Sequence, residues 1–302
     1  MYGNLLVPLD GSQTAESALP ASASLAAALG ASVTLFHVIE PRPPDAVHGE
    51  RHLGNPEEAH AYLEDVARRN FDPALPVDQR VSRVAEPDIA RAISTAAEET
   101  GADVIVLCTH GRGALRHRFF GSIAQRVVSL GAVPVLLVPP ESARRGSAFS
   151  CRRLLVPLDG SRAHEAGLRE ARKLAEACGA SVHVLVVVPT LATLQGEPAA
   201  TGYLLPRTTS AVLELAEGSA EEYLSRQLDR LEGSGIEVSA EVARGEATGT
   251  IVETARRVDA DLIVLGSHGR GGMDAFWSGS VTPRVAARVR IPLLLAPATG
   301  DG

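Results

Sequence analysis

The sequence predicts an α/β chain made of two tandem, doubly wound parallel sheets, and three observations carry that expectation. The chain of 302 residues contains a duplication, each copy alternates short apolar runs with segments of helical period, and the composition of 45% hydrophobic and 22% charged residues is that of an ordinary globular protein. The duplication decides the domain count. Residues 5–12 spell Leu-Leu-Val-Pro-Leu-Asp-Gly-Ser, and residues 154–161 repeat all eight letters at an offset of 149. A second block sets Ala102–Pro140 against Ala260–Ala298 at an offset of 158, with 17 identities in 39 positions, so the second copy carries a net insertion of 9 residues between the blocks. The copies meet at Pro139-Pro140 and the polar stretch beginning at Glu141, which gives one domain over 1–140, a linker over 141–152 and a second domain over 153–302.

The elements follow in order. In the first copy Leu5–Leu9, Ser32–Ile39, Val104–Leu107 and Val133–Val138 are short apolar runs bounded by turn residues, the pattern of strands buried on both faces. Between them Thr14–Leu29, Glu57–Arg69 and Ile89–Thr100 space their apolar residues as helices do. The second copy repeats the strands at Leu154–Leu158, Ser181–Val188, Leu262–Leu265 and Ile291–Leu295, with helices at Ala163–Ala177, Ala211–Leu231 and Thr250–Val258. Strands alternating with helices imply right-handed parallel crossovers and an open sheet covered on both faces. Such sheets bind ligands beyond the carboxyl ends of their strands. Pro41–Pro56 and Pro189–Ser210, rich in Pro, Gly and Thr, are expected to form loops flanking those ends.

Charge and cysteine usage narrow the function classes. The 29 basic and 36 acidic residues leave −7, which argues against nucleic acid and polybasic membrane anchoring. No basic stretch precedes a long apolar segment near Met1, and no run reaches membrane-spanning length, so a cytoplasmic protein is expected. Cys108, Cys151 and Cys178 are odd in number and far apart in sequence, which gives neither a disulfide framework nor a Cys-x-x-Cys metal site.

Two motifs sit at the ligand-bearing edge. Pro8-Leu9-Asp10-Gly11-Ser12 and Pro157-Leu158-Asp159-Gly160-Ser161 put a carboxylate at the turn after the first strand. A helix-capping turn explains Gly and Ser, and the residues alone leave open whether Asp10 and Asp159 also hold a ligand. After the fourth strand comes Gly266-Ser267-His268-Gly269, then nine residues Arg270–Ser278, then Gly279-Ser280 opening a helix; the first copy reads Cys108-Thr109-His110-Gly111, nine residues Arg112–Phe120, then Gly121-Ser122. Glycines let a backbone approach phosphate closely, and free amides at a helix start bind anions. His110 and His268 fit loop-ordering hydrogen bonds better than general-base roles, since neither has a carboxylate neighbour in sequence.

On these motifs the sequence resembles the universal stress protein family in its tandem, two-domain form. The resemblance implies a five-stranded, Rossmann-like parallel sheet in each half and an ATP site, with or without magnesium. It implies that the Asp after the first strand contacts the nucleoside, that backbone at the end of the second strand contacts adenine, and that the glycine loop and its Ser hold ribose and phosphates. Carried onto matching positions, the second copy offers Asp159, Val187, Leu265, Gly266, Gly269, Arg270, Gly279, Ser280 and Val281. The first offers Asp10, Val38, Leu107, Gly111, Arg112, Gly121, Ser122 and Ile123, and departs from the pattern at Cys108. The resemblance further implies that the two halves pair as an internal pseudo-dimer through their final strands, beside which whole-chain homodimers and protein partners are expected.

Other nucleotide and hydrolase classes lack their residues. The single lysine, Lys173, follows Arg172 and precedes Leu174, so no Gly-Lys-Ser/Thr phosphate loop exists, and neither first turn carries Gly-x-Gly-x-x-Gly. No Gly-x-Ser-x-Gly elbow occurs. His48, His52 and His60 with Glu50, Glu57 and Glu58 lie among Pro and Gly residues that break a shared helix, and no metal is assigned to them. The reading is a cytoplasmic ATP-binding stress-response module, not an enzyme beyond slow hydrolysis; its rival is a module that pairs and recruits proteins without nucleotide. Because Cys108 adds a side chain where Gly266 has none, ATP is expected to bind tightly in the second half and weakly or not at all in the first.

Overall fold

The computed structural model describes residues 2–41, 46–47, 50–51, 53–85, 88–109, 121–131, 133–140, 149–161, 164–194, 200–201, 204–267 and 281–298. In the first half they form β1 (Asn4–Pro8), α1 (Gln13–Glu16), α2 (Leu19–Leu29), β2 (Ser32–Ile39), a small hairpin of β3 (Ala46–Val47) and β4 (Glu50–Arg51), α3 (Pro56–Asn70), β5 (Val77–Arg83), α4 (Ile89–Thr100), β6 (Val104–Cys108), α5 (Ser122–Leu130) and β7 (Val135–Val138). The second half gives β8 (Arg153–Leu158), α6 (Glu165–Cys178), β9 (Ser181–Val188), α7 (Pro206–Asp229), β10 (Val238–Arg244), α8 (Ala247–Arg257), β11 (Leu262–Ser267), α9 (Val281–Ala286) and β12 (Leu293–Pro297).

The strands join in one ten-stranded sheet ordered β10-β9-β8-β11-β12-β7-β6-β1-β2-β5. Each half contributes five parallel strands. At the centre β7 and β12 run antiparallel, with Leu137 opposite Leu293, Leu136 opposite Leu294 and Val135 opposite Leu295. Those runs are apolar on both faces, and pairing them hides two edges that would otherwise template aggregation. A second tie crosses the seam, where the Tyr2 hydroxyl donates to Glu170 Oε2 at 2.6 Å.

Alternate residues of each strand enter two cores, so Leu5 and Val7 pack with Leu25, Leu63 and Leu168 on one face while Leu6 packs with Ile93, Val127 and Ile251 on the other. The helix expected over Thr14–Leu29 is two helices. Pro20, at the second position of α2, has no N–H to continue a helix from α1, so the chain turns between Glu16 and Leu19. The loop expected over Pro189–Ser210 is shorter than that, because α7 starts at Pro206, a first-turn position that suits proline. The α6 crossover returns the chain beside the start of β8, so Cys151 and Cys178, distant in sequence and both free thiols, lie close enough to shift each other's titration. No helix among the described residues is long and apolar enough to cross a membrane.

Candidate functional site

In the first half the sheet delivers its residues to one edge. Past the end of β1, Leu9 N still donates to Phe36 O at 2.8 Å, and Gly11 at φ +89° lets the chain turn into α1. Ser12 caps that helix by accepting from Ala15 N at 3.1 Å. The Asp10 carboxylate accepts from both Ser12 N (2.9 Å) and Ser12 Oγ (2.6 Å) through Oδ1. Buried His37 spans two carbonyl oxygens, Leu9 O at 2.7 Å from Nδ1 and Leu53 O at 3.0 Å from Nε2, and so ties the turn to the segment ahead of α3.

Above these groups lies a cavity of about 310 Å³. Its walls include Asp10 from the turn, Thr14 from α1, Phe36, His37 and Val38 from β2, Ile89 and Ile93 from α4, Leu107 and Cys108 from β6, and Ser122 and Ile123 from the start of α5. Gly121, with extended φ and ψ, is the N-cap residue of α5. Apolar walls with a few convergent polar groups are what a small-molecule site requires. Asp10, Val38, Leu107, Ser122 and Ile123, selected from the sequence, therefore surround one space. Gly111 and Arg112, with His110, lie outside the described residues.

The second half builds the same turn and finishes it differently. Gly160 turns at φ +85°, and Asp159 Oδ1 accepts from Ser161 N at 2.9 Å. His164 Nδ1 sits 2.7 Å from the same oxygen. Burial raises the Asp159 pKa, but hydrogen bonds from His164 and Ser161 outweigh it and hold the carboxyl well below the usual carboxylate range. Behind this contact two glycines meet. A Cβ on Gly266 would stand 2.4 Å from His164 Cα, and one on Gly167 would stand 2.8 Å from Gly266 N. Without those side chains the first turn of α6 rests on the end of β11, which delivers His164 to Asp159. The equivalent residues in the first half are Ala15 for His164, Ala18 for Gly167 and Cys108 for Gly266. There the larger side chain is on the strand and the smaller ones are on the helix.

Gly266 is absent from the positive-φ residues, so its position asks for no left-handed backbone, and what fills the space at its missing side chain is the His164 backbone. Cys108 forms part of the cavity wall, its thiol donating to Thr109 O at 3.1 Å. Val187 and Leu265 lie near the ends of β9 and β11, and Val281 opens α9. Gly269, Arg270, Gly279 and Ser280, with His268, are outside the described residues.

Both halves also anchor the helix that follows the glycine loop. Asp88 caps α4 and accepts from Arg126 of α5 at 2.8 Å; Glu246 caps α8 and faces Arg284 and Arg288 at 3.9 and 3.8 Å. Sequence reasoning missed His37 and His164. The available signal for His37 was a histidine inside the apolar run Leu35-Phe36-His37-Val38; for His164 it was the pairing of a glycine with a histidine in one copy against a cysteine with an alanine in the other.

Comparison with known proteins gives a consistent family. The model for the universal stress protein family matches residues 1–139 and again 150–297. A universal stress protein of Mycobacterium tuberculosis is 27% identical over 304 residues, covering 97% of this chain and 96% of its own. One from Methanocaldococcus jannaschii is 28% identical over 144 residues, or 48% of this chain and 81% of its own. Among solved structures, a universal stress protein from Archaeoglobus fulgidus superposes with a TM-score of 0.66 at 19% identity, covering 98% of both chains, which supports the fold.

Proposed function

Because the chain belongs to the universal stress protein family, with two of its domains in tandem, we propose that it is a cytoplasmic, ATP-binding stress-response module that senses nucleotide rather than turning it over. The observation that carries this reading is the cavity of about 310 Å³ whose walls hold Asp10, Val38, Leu107, Ser122 and Ile123. That volume is at the lower end of small-molecule sites, roughly 300–1,000 Å³, and suits a nucleoside. In this reading Asp10 accepts from ribose hydroxyls, the backbone near Val38 reads adenine, and the amides at the start of α5 face phosphate. Arg112, Gly111 and any magnesium ion serve the phosphates. In the second half Asp159 takes the place of Asp10, with Gly269, Arg270, Gly279 and Ser280 on the phosphate side.

At Asp159 ATP meets His164 on the carboxylate oxygen, and at Asp10 it meets the Ser12 N–H and hydroxyl. The test is mass spectrometry of small molecules released from the freshly purified chain, followed by calorimetric titration of the emptied protein with ATP. Released adenine nucleotide and saturable binding are expected. A chain that carries none and gives no heat with millimolar ATP and magnesium would contradict the reading and leave the protein-recruiting module.

A further inference from the structure

The cysteine pair in the second half has no part in the nucleotide reading. Cys178 is the last residue of α6 and partly exposed, and Cys151 is buried in the segment leading into β8. The backbone holds these two segments together. Ser181 N donates to Arg152 O at 2.8 Å, and Arg153 pairs with Ser181 across β8 and β9. Cys151, next to Arg152, and Cys178, three residues before Ser181, are thereby brought near each other, and each shifts the other's titration. Both are free thiols in the structure.

We propose that Cys151 and Cys178 form a peroxide-oxidisable dithiol that closes to an intramolecular disulfide. The assignment of roles follows from position. Cys178 is the accessible sulfur, and the hydrogen bond from Cys151 lowers its pKa against the opposing effects of burial and Asp261. Asp261 is itself held by Ser150 Oγ and by the backbone N–H groups of Arg152 and Arg153. Hydrogen bonding to Cys178 and burial push the Cys151 thiol up. The Cys178 thiolate attacks one oxygen of a hydroperoxide; the S–O bond forms, the O–O bond breaks, and the other oxygen leaves as water or an alcohol after taking up a proton. Cys151 then gives up its proton and attacks the Cys178 sulfur; the S–S bond forms, the S–O bond breaks and water departs. The peroxide is reduced by two electrons and the two thiols are oxidised to one disulfide. Cys108, at the end of β6 in the other half, is a third thiol outside this pair.

The experiment is peptide mapping by mass spectrometry without reductant, on the full chain treated with hydrogen peroxide and on Cys151→Ser and Cys178→Ser. In the wild type a Cys151–Cys178 linked peptide lacking two hydrogens should accumulate and disappear with dithiothreitol, with the protein still monodisperse. Cys151→Ser should trap sulfenic acid on Cys178, read as a dimedone adduct, and Cys178→Ser should give neither adduct nor link. Should either variant fail to fold, the wild-type map decides alone. Oxidation that goes to sulfinic acid at Cys178 without a link, that reaches Cys108 first, or that joins separate chains would overturn the proposal.

Discussion

The two halves start from the same eight residues and solve the same packing problem with opposite residue sizes. In the first, Cys108 ends β6 and Ala15 faces it from the helix side, leaving a cavity with Asp10 in its wall. In the second, Gly266 is the next-to-last residue of β11, and His164 takes the freed space and holds Asp159. A glycine near a strand end is thus not by itself a sign of room for a ligand, because a neighbouring helix can take the room first.

Exchanging the residues is the harshest way to break this comparison. Gly266→Cys places a Cβ where His164 backbone already lies, and displacing α6 should cost about 2–3 kcal/mol, as overpacking of a filled site does. Cys108→Gly removes a partly buried side chain from a strand end and should cost only about 1 kcal/mol. Urea unfolding of both variants checks this; equal losses would mean that the halves are packed alike.

The paired turns give a finer contrast. Alanine at Gly11 or Gly160 meets the same left-handed backbone, a cost of about 1–2 kcal/mol in each case. At Gly11 the new methyl also stands 3.1 Å from Leu53 Cδ1, while at Gly160 nothing among the described residues lies within 4 Å. Gly11→Ala should therefore be the more destabilising by thermal melting, and should also disturb the Leu53–His37 contact on the first-half site.

The smallest effect concerns His164→Ala. Asp159 has a depressed folded pKa, so the stability it contributes is full above its unfolded value, about 3.9, and is lost as pH falls through the folded value. With this side chain more than half exposed, the discounted contribution is about 0.5–1 kcal/mol. The gap in stability between wild type and His164→Ala should be present at pH 6 and shrink below pH 4 in paired denaturation curves. A gap that widens in acid would remove the His164–Asp159 contact from the account.

Much of this architecture was legible because its signals are local. Repetition of Leu-Leu-Val-Pro-Leu-Asp-Gly-Ser gave the two halves, and the apolar runs of β1, β2, β6 and β7 and their repeats marked strands buried on both faces. The outer strands β5 and β10 were not picked out, because Val77–Arg83 and Val238–Arg244 are edge strands with polar side chains and no apolar run. Asp10 and Ser122 lie in the repeated motifs, and Val38 followed from the family resemblance those motifs carry. His164 was not legible, since its role depends on a missing side chain at Gly266, 102 positions later in the chain. The Cys151–Cys178 contact was hidden for the same reason: only the strand–helix–strand crossover brings its ends together.

The central claim is that the first-half cavity walled by Asp10 takes nucleotide, and calorimetric titration of the wild type and Asp10→Ala with ATP tests it most directly. Loss of a hydrogen-bonded charged group costs about 1.5–3 kcal/mol, so Asp10→Ala should weaken one binding step about tenfold or more. Binding steps unchanged in Asp10→Ala would contradict the account.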